Sequence, residues 1–158
     1  MNNEKEFLEA QERIEKAVKA AEDTVMAKLK SANALIEDVK SQMAHGTDCI
    51  TTAQIQEWAI VIPIICEELT PAKEAFDLTK NLWDIETKQL QAKNLLELDM
   101  KKTEIEQVNK LAGTENSKKK AIAEYVRNML ADTQESLWML GNALRKILDA
   151  RIANREAK

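Results

Sequence analysis

The chain predicts an all-α protein, an elongated antiparallel helical bundle or coiled coil of three long helices plus one short buried helix. Aromatic residues are only 4% of the 158, and three glycines and two prolines are the only strong breakers. Few residues therefore favour strands or interrupt helices. Apolar positions recur by steps of three or four over long stretches, the spacing of one helix face. The breakers divide the chain at His45-Gly46, Thr70-Pro71 and Gly113, which predicts one helical domain over residues 1–158 with helices at about 3–44, 52–69, 71–112 and 117–156.

In the first of these segments Ile14, Val18, Ala21, Val25, Leu29, Ala32, Ile36, Val39 and Met43 form one stripe, with Phe7 extending it forward. Gly46, just past the last periodic residue, reads as a helix stop. Thr51 and Gln54 have the spacing of a capping box, so a second helix starts there. Its middle, "WAIVIPIIC", is apolar all round, as in a segment buried on every side, and Pro63 should bend it. Thr70-Pro71 reads as an N-cap followed by proline at the first helical position.

The third helix shows a wide inner face of Ala75, Leu78, Leu82 and Ile85 beside Phe76, Trp83 and Leu90, resumed by Leu98, Ile105 and Val108. In the fourth, Ile122, Val126, Met129, Leu137, Leu140, Leu144 and Ile147 make a stripe broken at Thr133, with Gly141 inside it. Such long stripes leave apolar surface uncovered, so self-association is expected.

Net charge is −4, unevenly spread. Residues 101–158 hold 12 Lys and Arg against 8 Asp and Glu, whereas the first hundred hold 11 against 19. A basic end of this kind can steer a polyanion. The two cysteines, Cys49 and Cys66, are too few for a disulfide framework or a zinc site. "MNNEKEFLEA" has no apolar signal region, and "WAIVIPIIC" is about half a membrane span. A cytoplasmic location without membrane contact is the expectation.

Residues 109–126, "NKLAGTENSKKKAIAEYV", raise the question of a phosphate loop. A P-loop needs several glycines and a Lys-Ser/Thr pair after a strand, and this stretch has neither. It reads as a hairpin turn, with Gly113 ending one helix and Thr114 or Asn116 capping the next. Lys118, Lys119 and Lys120 then point in different directions around the first turn, and contact with an acidic partner is their functional reading. The stretch "GTENSKKKAIAEYVRNMLADTQESLWMLGNALRKILDARI" resembles the second arm of small helical-hairpin proteins encoded by tailed bacteriophages. The resemblance covers about a quarter of the chain and rests on a Gly/Asn turn, a basic-alanine first turn and a long helix. It implies a role beside replication and single-strand recombination proteins, in the cytoplasm of a host cell.

Catalytic patterns do not assemble. Glu6, Glu9, Glu12 and Glu15 recur every third residue, and Glu74 with Asp77 resembles half of the magnesium motif of all-α nucleotide pyrophosphatases. About sixty residues separate the two, so solvated carboxylates near helix N-termini are the simpler reading. Di-iron bundles need two Glu-x-x-His pairs, and the single histidine, His45, lies in a turn. Cys66 reads as a small buried apolar residue. Trp58, Trp83 and Trp138 each sit in apolar patterns and read as core rather than as base-stacking platforms.

The expectation is a non-enzymatic, phage-type accessory protein without cofactor, metal or small-molecule substrate, one that binds macromolecules and assists DNA recombination or replication. Single-stranded DNA or a protein partner would meet Lys118, Lys119, Lys120, Arg145, Lys146, Arg151, Arg155 and Lys158. Of these, Arg151, Arg155 and Lys158 share one helix face. The alternative is a protein-directed inhibitor or adaptor, for example of a host defence complex, acting through an exposed helix face.

Overall fold

The computed structural model describes residues 2–97 and 101–156, with the side chains of 2–15, 17, 18, 21, 112 and 156 excepted. The described residues contain no strand and three α-helices, α1 Asn2–Ala44, α2 Thr52–Glu97 and α3 Lys102–Glu156, with a 3-10 turn at Thr47–Cys49. The all-α expectation stands, with three helices in place of four. Leu98 and Lys158, named above, lie outside the described residues, as do the side chains of Phe7, Ile14, Val18, Ala21 and the glutamates at 6, 9, 12 and 15.

Gly46 stops α1 as expected, with φ of +109°, a region open to glycine at little cost. Thr51 caps α2, its Oγ1 accepting from the Gln54 N–H at 3.2 Å. Two expected breaks are corrected. Thr70-Pro71 lies inside α2, not at a helix start. Proline removes one backbone hydrogen bond, whereas ending and restarting a helix there would orphan up to four carbonyls and four N–H groups. No Gly or Pro follows Pro71 up to Glu97, so the helix continues.

The second correction is the turn at residues 113–117, which is helical throughout α3. Of the three features that carry the bacteriophage resemblance, the Gly/Asn turn is therefore absent. Gly113 has no positive φ, Thr114 Oγ1 donates back to the Lys110 carbonyl at 2.8 Å, and Asn116 turns inward instead of capping. α3 starts instead at Lys102, where the Glu104 carboxylate accepts from the Lys101 N–H at 3.3 Å as half of a capping box.

The chain divides into two compact units, Met1–Leu69 with Thr133–Lys158, and Thr70–Asp132. In the first, α1 buries Val25, Leu29, Ala32, Ile36 and Val39, α2 buries Ile50 in its lead-in and then Ile55, Trp58, Ile62 and Leu69, and α3 buries Leu137, Leu140 and Leu144. Gln54 Nε2 donates to Gln42 Oε1 at 2.9 Å, and Gln134 Nε2 to the Cys66 carbonyl at 2.9 Å, so α1, α2 and α3 are joined in turn. Thr133, the apparent break in the α3 stripe, is buried and belongs to this core, with Asn33 Oδ1 at 3.5 Å from its Oγ1. The run "WAIVIPIIC" is not buried all round, because Ile60 and Ile64 are exposed.

The second unit is an antiparallel pair of helical segments, 70–97 and 102–132. Phe76 and Trp83 from α2 and Ile105, Ala123, Val126 and Leu130 from α3 are its buried residues. A ladder of polar pairs sets the register: Asn94 to Asn109 at 2.8 Å, Asn116 to Thr87 at 2.9 Å, Lys120 to Asp84 at 2.8 Å and Arg127 Nε to Asp77 at 3.1 Å. The last is an ion pair whose N–H is not aimed for a hydrogen bond. The expected inner face of Ala75, Leu78, Leu82 and Ile85 points outward, as does Ile122, because a helix with one neighbour hides only one strip.

Gly113→Ala separates helix from turn. An added Cβ would meet Gln91 Nε2 and Thr87 Cγ2 at 3.9 Å, ordinary contact. The variant should be more stable by about 0.5–1 kcal/mol in urea unfolding, the usual helix-interior gain; destabilisation would mean a left-handed turn glycine.

Candidate functional site

The basic residues singled out from the sequence do not form one surface. Lys118 is exposed, but Lys119 Nζ lies 4.5 Å from the centre of the Trp83 ring, in cation–π range. Lys120 holds both Asp84 carboxylate oxygens, at 2.9 and 2.8 Å. That hydrogen bond, before the added charges of Lys120, Lys88 and Lys80, holds the Asp84 carboxyl below its ordinary 3.8, against a smaller opposing effect of desolvation. Any stabilisation it lends is complete above that ordinary value and fades as pH falls through the lowered one.

Arg151 is a structural anchor. Its Nη2 donates to the carbonyls of Thr47 at 2.6 Å and Ile50 at 2.8 Å, and its Nη1 to Thr52 Oγ1 at 3.1 Å. These bonds tie the end of α3 to the turn between α1 and α2, a stretch with no continuous ladder of its own. Arg145, Lys146 and Arg155 are exposed. Lys158 lies outside the described residues.

A concave feature lies within the first unit, between α2 and α3. It is an open cleft of about 220 Å³ lined by Ile62, Pro63, Cys66, Leu137, Trp138 and Gly141, with Glu67, Asn142 and Arg145 completing it. Two residues with little side-chain reach open it. Gly141 presents only backbone, and a Cβ there would sit 3.4 Å from Ile62 Cγ2, so any larger residue would start to fill the gap. Pro63 supplies a compact ring on the facing helix. Below them the helices are clasped by Gln134 Nε2 on the Cys66 carbonyl at 2.9 Å and by the Cys66 thiol on the Gln134 carbonyl at 3.8 Å.

Trp138 corrects the expectation that all three tryptophans are core. Trp58 and Trp83 are buried, whereas Trp138 is 66% exposed. It follows Leu137 by one residue, a step of about 100° around the helix, which carries it off the buried Leu137–Leu140–Leu144 stripe to the cleft. An indole offers a large, stiff apolar surface with one N–H donor, the kind of group that anchors protein contacts. Isolated Gly141 inside a helical pattern was the available sequence signal for close approach or a gap.

The cleft offers little for catalysis. Its polar groups are Glu67, Asn142, Arg145 and a thiol, which include no oriented nucleophile–base pair. Among the described residues no three His, Cys, Asp or Glu side chains come together to hold a metal. Asp77 of the Glu74–Asp77 pair faces Arg127 instead. His45 is exposed, its Nδ1 at 2.7 Å from the Ser41 carbonyl. No helix among the described residues is long and apolar enough to cross a membrane. No protein family, no curated protein and no solved structure gives a match to the chain.

Two variants test these assignments. Arg151→Ala should lower stability by about 1.5–3 kcal/mol, the worth of charge-assisted hydrogen bonds, in thermal or urea unfolding; an unchanged midpoint would free Arg151 for another role. Lys120→Gln should move the Asp84 titration up toward 3.8, followed by carboxyl-carbon NMR; an unmoved titration would show that the pair does not form in solution.

Proposed function

We infer that the chain is a non-enzymatic binding protein whose partner is another protein, seated at the cleft beside Trp138. The single observation that carries this reading is an exposed tryptophan at the lip of an apolar cleft, with Glu67 and Arg145 offering one charge of each sign beside it. Interface anchors have this composition: an aromatic group at the centre, charges able to form pairs at the rim. An apolar helix face or extended segment is the partner chemistry that suits it. This is the adaptor or inhibitor reading of the sequence.

Single-stranded DNA is the second reading, favoured by exposed Arg145, Lys146 and Arg155 within residues 101–158, which carry excess positive charge. It draws less support than the sequence suggested, since Lys119, Lys120 and Arg151 are engaged within the chain. Phosphate contacts need cations that can be given over to the ligand.

Trp138→Ala separates the two. Because the side chain is largely exposed, stability should change by no more than about 0.5 kcal/mol. Applied to immobilised wild type and variant in parallel, a lysate of the source cells should leave a stoichiometric protein on the first and lose it from the second. Retention unaffected by the substitution, or salt-sensitive capture of oligonucleotide alone, would sink the protein-binding reading.

A further inference from the structure

The cleft beside Trp138 has ends of opposite charge. Gln134 and Cys66 each bond to the other's backbone carbonyl, and Gly141 stands against Ile62, so α2 and α3 pass each other in opposite directions along it. Glu67, next to Cys66, and Glu135, next to Gln134, therefore lie at one end. Arg145, one turn beyond Gly141, lies at the other. Glu135 and Arg145 are ten residues apart on α3, about 15 Å at the helical rise. Glu135, Trp138, Asn142 and Arg145 follow one another by three, four and three residues, which makes them one stripe along the α3 side. Ile60, Pro63 and Glu67, spaced by three and four, form the stripe along α2. Between the charged ends the surface is largely apolar, with Ile60 64% and Trp138 66% exposed and the gap at Pro63 and Gly141 between them.

Charge and backbone together say what fits. Glu67, Glu135 and Arg145 are exposed, and among the described residues none of the three has an ion pair or a side-chain hydrogen bond. Two carboxylates at one end draw a cation and repel a polyanion, while Arg145 draws a carboxylate. Both walls are helices, so neither offers the row of unpaired backbone groups to which an extended segment adds. A groove between two helices takes the side-chain ridge of a third. One face of a helix reaches both ends when its charges stand eleven residues apart, about 16 Å. Residues at i+4 and i+7 fall between them on the same face, over the apolar middle of the cleft. A carboxylate early in the helix and a cation late in it also suit the helix's own dipole.

We propose that the cleft takes one amphipathic α-helix of a partner protein, with a carboxylate, two apolar residues and a cation at i, i+4, i+7 and i+11. The carboxylate meets Arg145, the apolar pair packs on Trp138 and the gap at Gly141, and the cation sits with Glu67 and Glu135. The bound helix runs antiparallel to α3. This assignment rests on the protein-partner reading of the cleft and names the partner's chemistry.

Fluorescence anisotropy with the full chain and labelled alanine-based helical peptides tests it. Three peptides carry two leucines at i+4 and i+7 and differ at i and i+11: glutamate then lysine, glutamate at both, lysine at both. The wild type should bind the mixed peptide about tenfold tighter than either like-charged one, the effect of turning an exposed attraction into a repulsion. Arg145→Glu should move the preference to the lysine peptide, and Glu67→Lys with Glu135→Lys to the glutamate peptide, each variant keeping the wild-type helical circular dichroism. Trp138→Ala should weaken all three peptides alike. No binding of any peptide, a wild type indifferent to peptide charge, or preferences that do not follow the substitutions overturn the proposal. So does a second copy of the chain as occupant, seen as a dimer in sedimentation that Trp138→Ala abolishes. A lysate protein lost from Trp138→Ala but kept by the charge variants would overturn this assignment alone, whereas one kept by Trp138→Ala as well would remove the protein-partner reading beneath it.

Discussion

An α-helix packed against one neighbour can hide only a single strip of its surface, and most of what distinguishes this protein follows from that constraint. In the second unit the strips that win burial are Phe76 and Trp83 on α2 and Ala123, Val126 and Leu130 on α3. Both helices carry more apolar residues than one seam can take, so Leu78, Leu82, Ile85, Ile122 and Tyr125 are left to solvent. In the first unit three segments share one core, and α2 can bury a broader set. The same helix type, with similar composition, meets water differently according to how many neighbours surround it.

Polar pairs decide which strip is hidden. Apolar contact alone is non-directional, and a helix with two apolar rows could turn either inward. The rungs Asn94–Asn109, Thr87–Asn116, Asp84–Lys120 and Asp77–Arg127 lock one rotation and one register. Each exposed rung contributes little to stability on its own; several in line specify geometry. Their cost is functional, since cations that hold the hairpin together are not available to a ligand. Arg151 is used up in the same way at the turn between α1 and α2. Among the described residues, what is left for recognition is largely apolar surface and scattered charge, the kind of surface through which the proposed protein partner would bind.

Breakers inside long helices have separate uses here. Gly46 alone among the glycines adopts a positive φ and ends a helix. Gly113 lies at ordinary contact distance from side chains of the facing helix, and Gly141, with Pro63 opposite, keeps a cleft from filling. Pro71 costs a hydrogen bond yet leaves α2 continuous. A glycine or proline announces a local freedom or restriction, and the neighbouring helix determines what is made of it.

The sequence by itself determined the helical class, the stop at Gly46, the cap at Thr51 and the α1 stripe from Val25 to Val39, because each depends on residues within a few turns of one another. Tertiary structure alone decided that Gly113 and Thr70-Pro71 do not end helices, that Trp138 faces solvent while Trp58 and Trp83 do not, and that Lys119, Lys120 and Arg151 have partners inside the chain. Those outcomes rest on contacts between residues dozens of positions apart. Periodicity shows that a helix has an apolar row, but only the neighbour it packs against settles whether that row is core or surface.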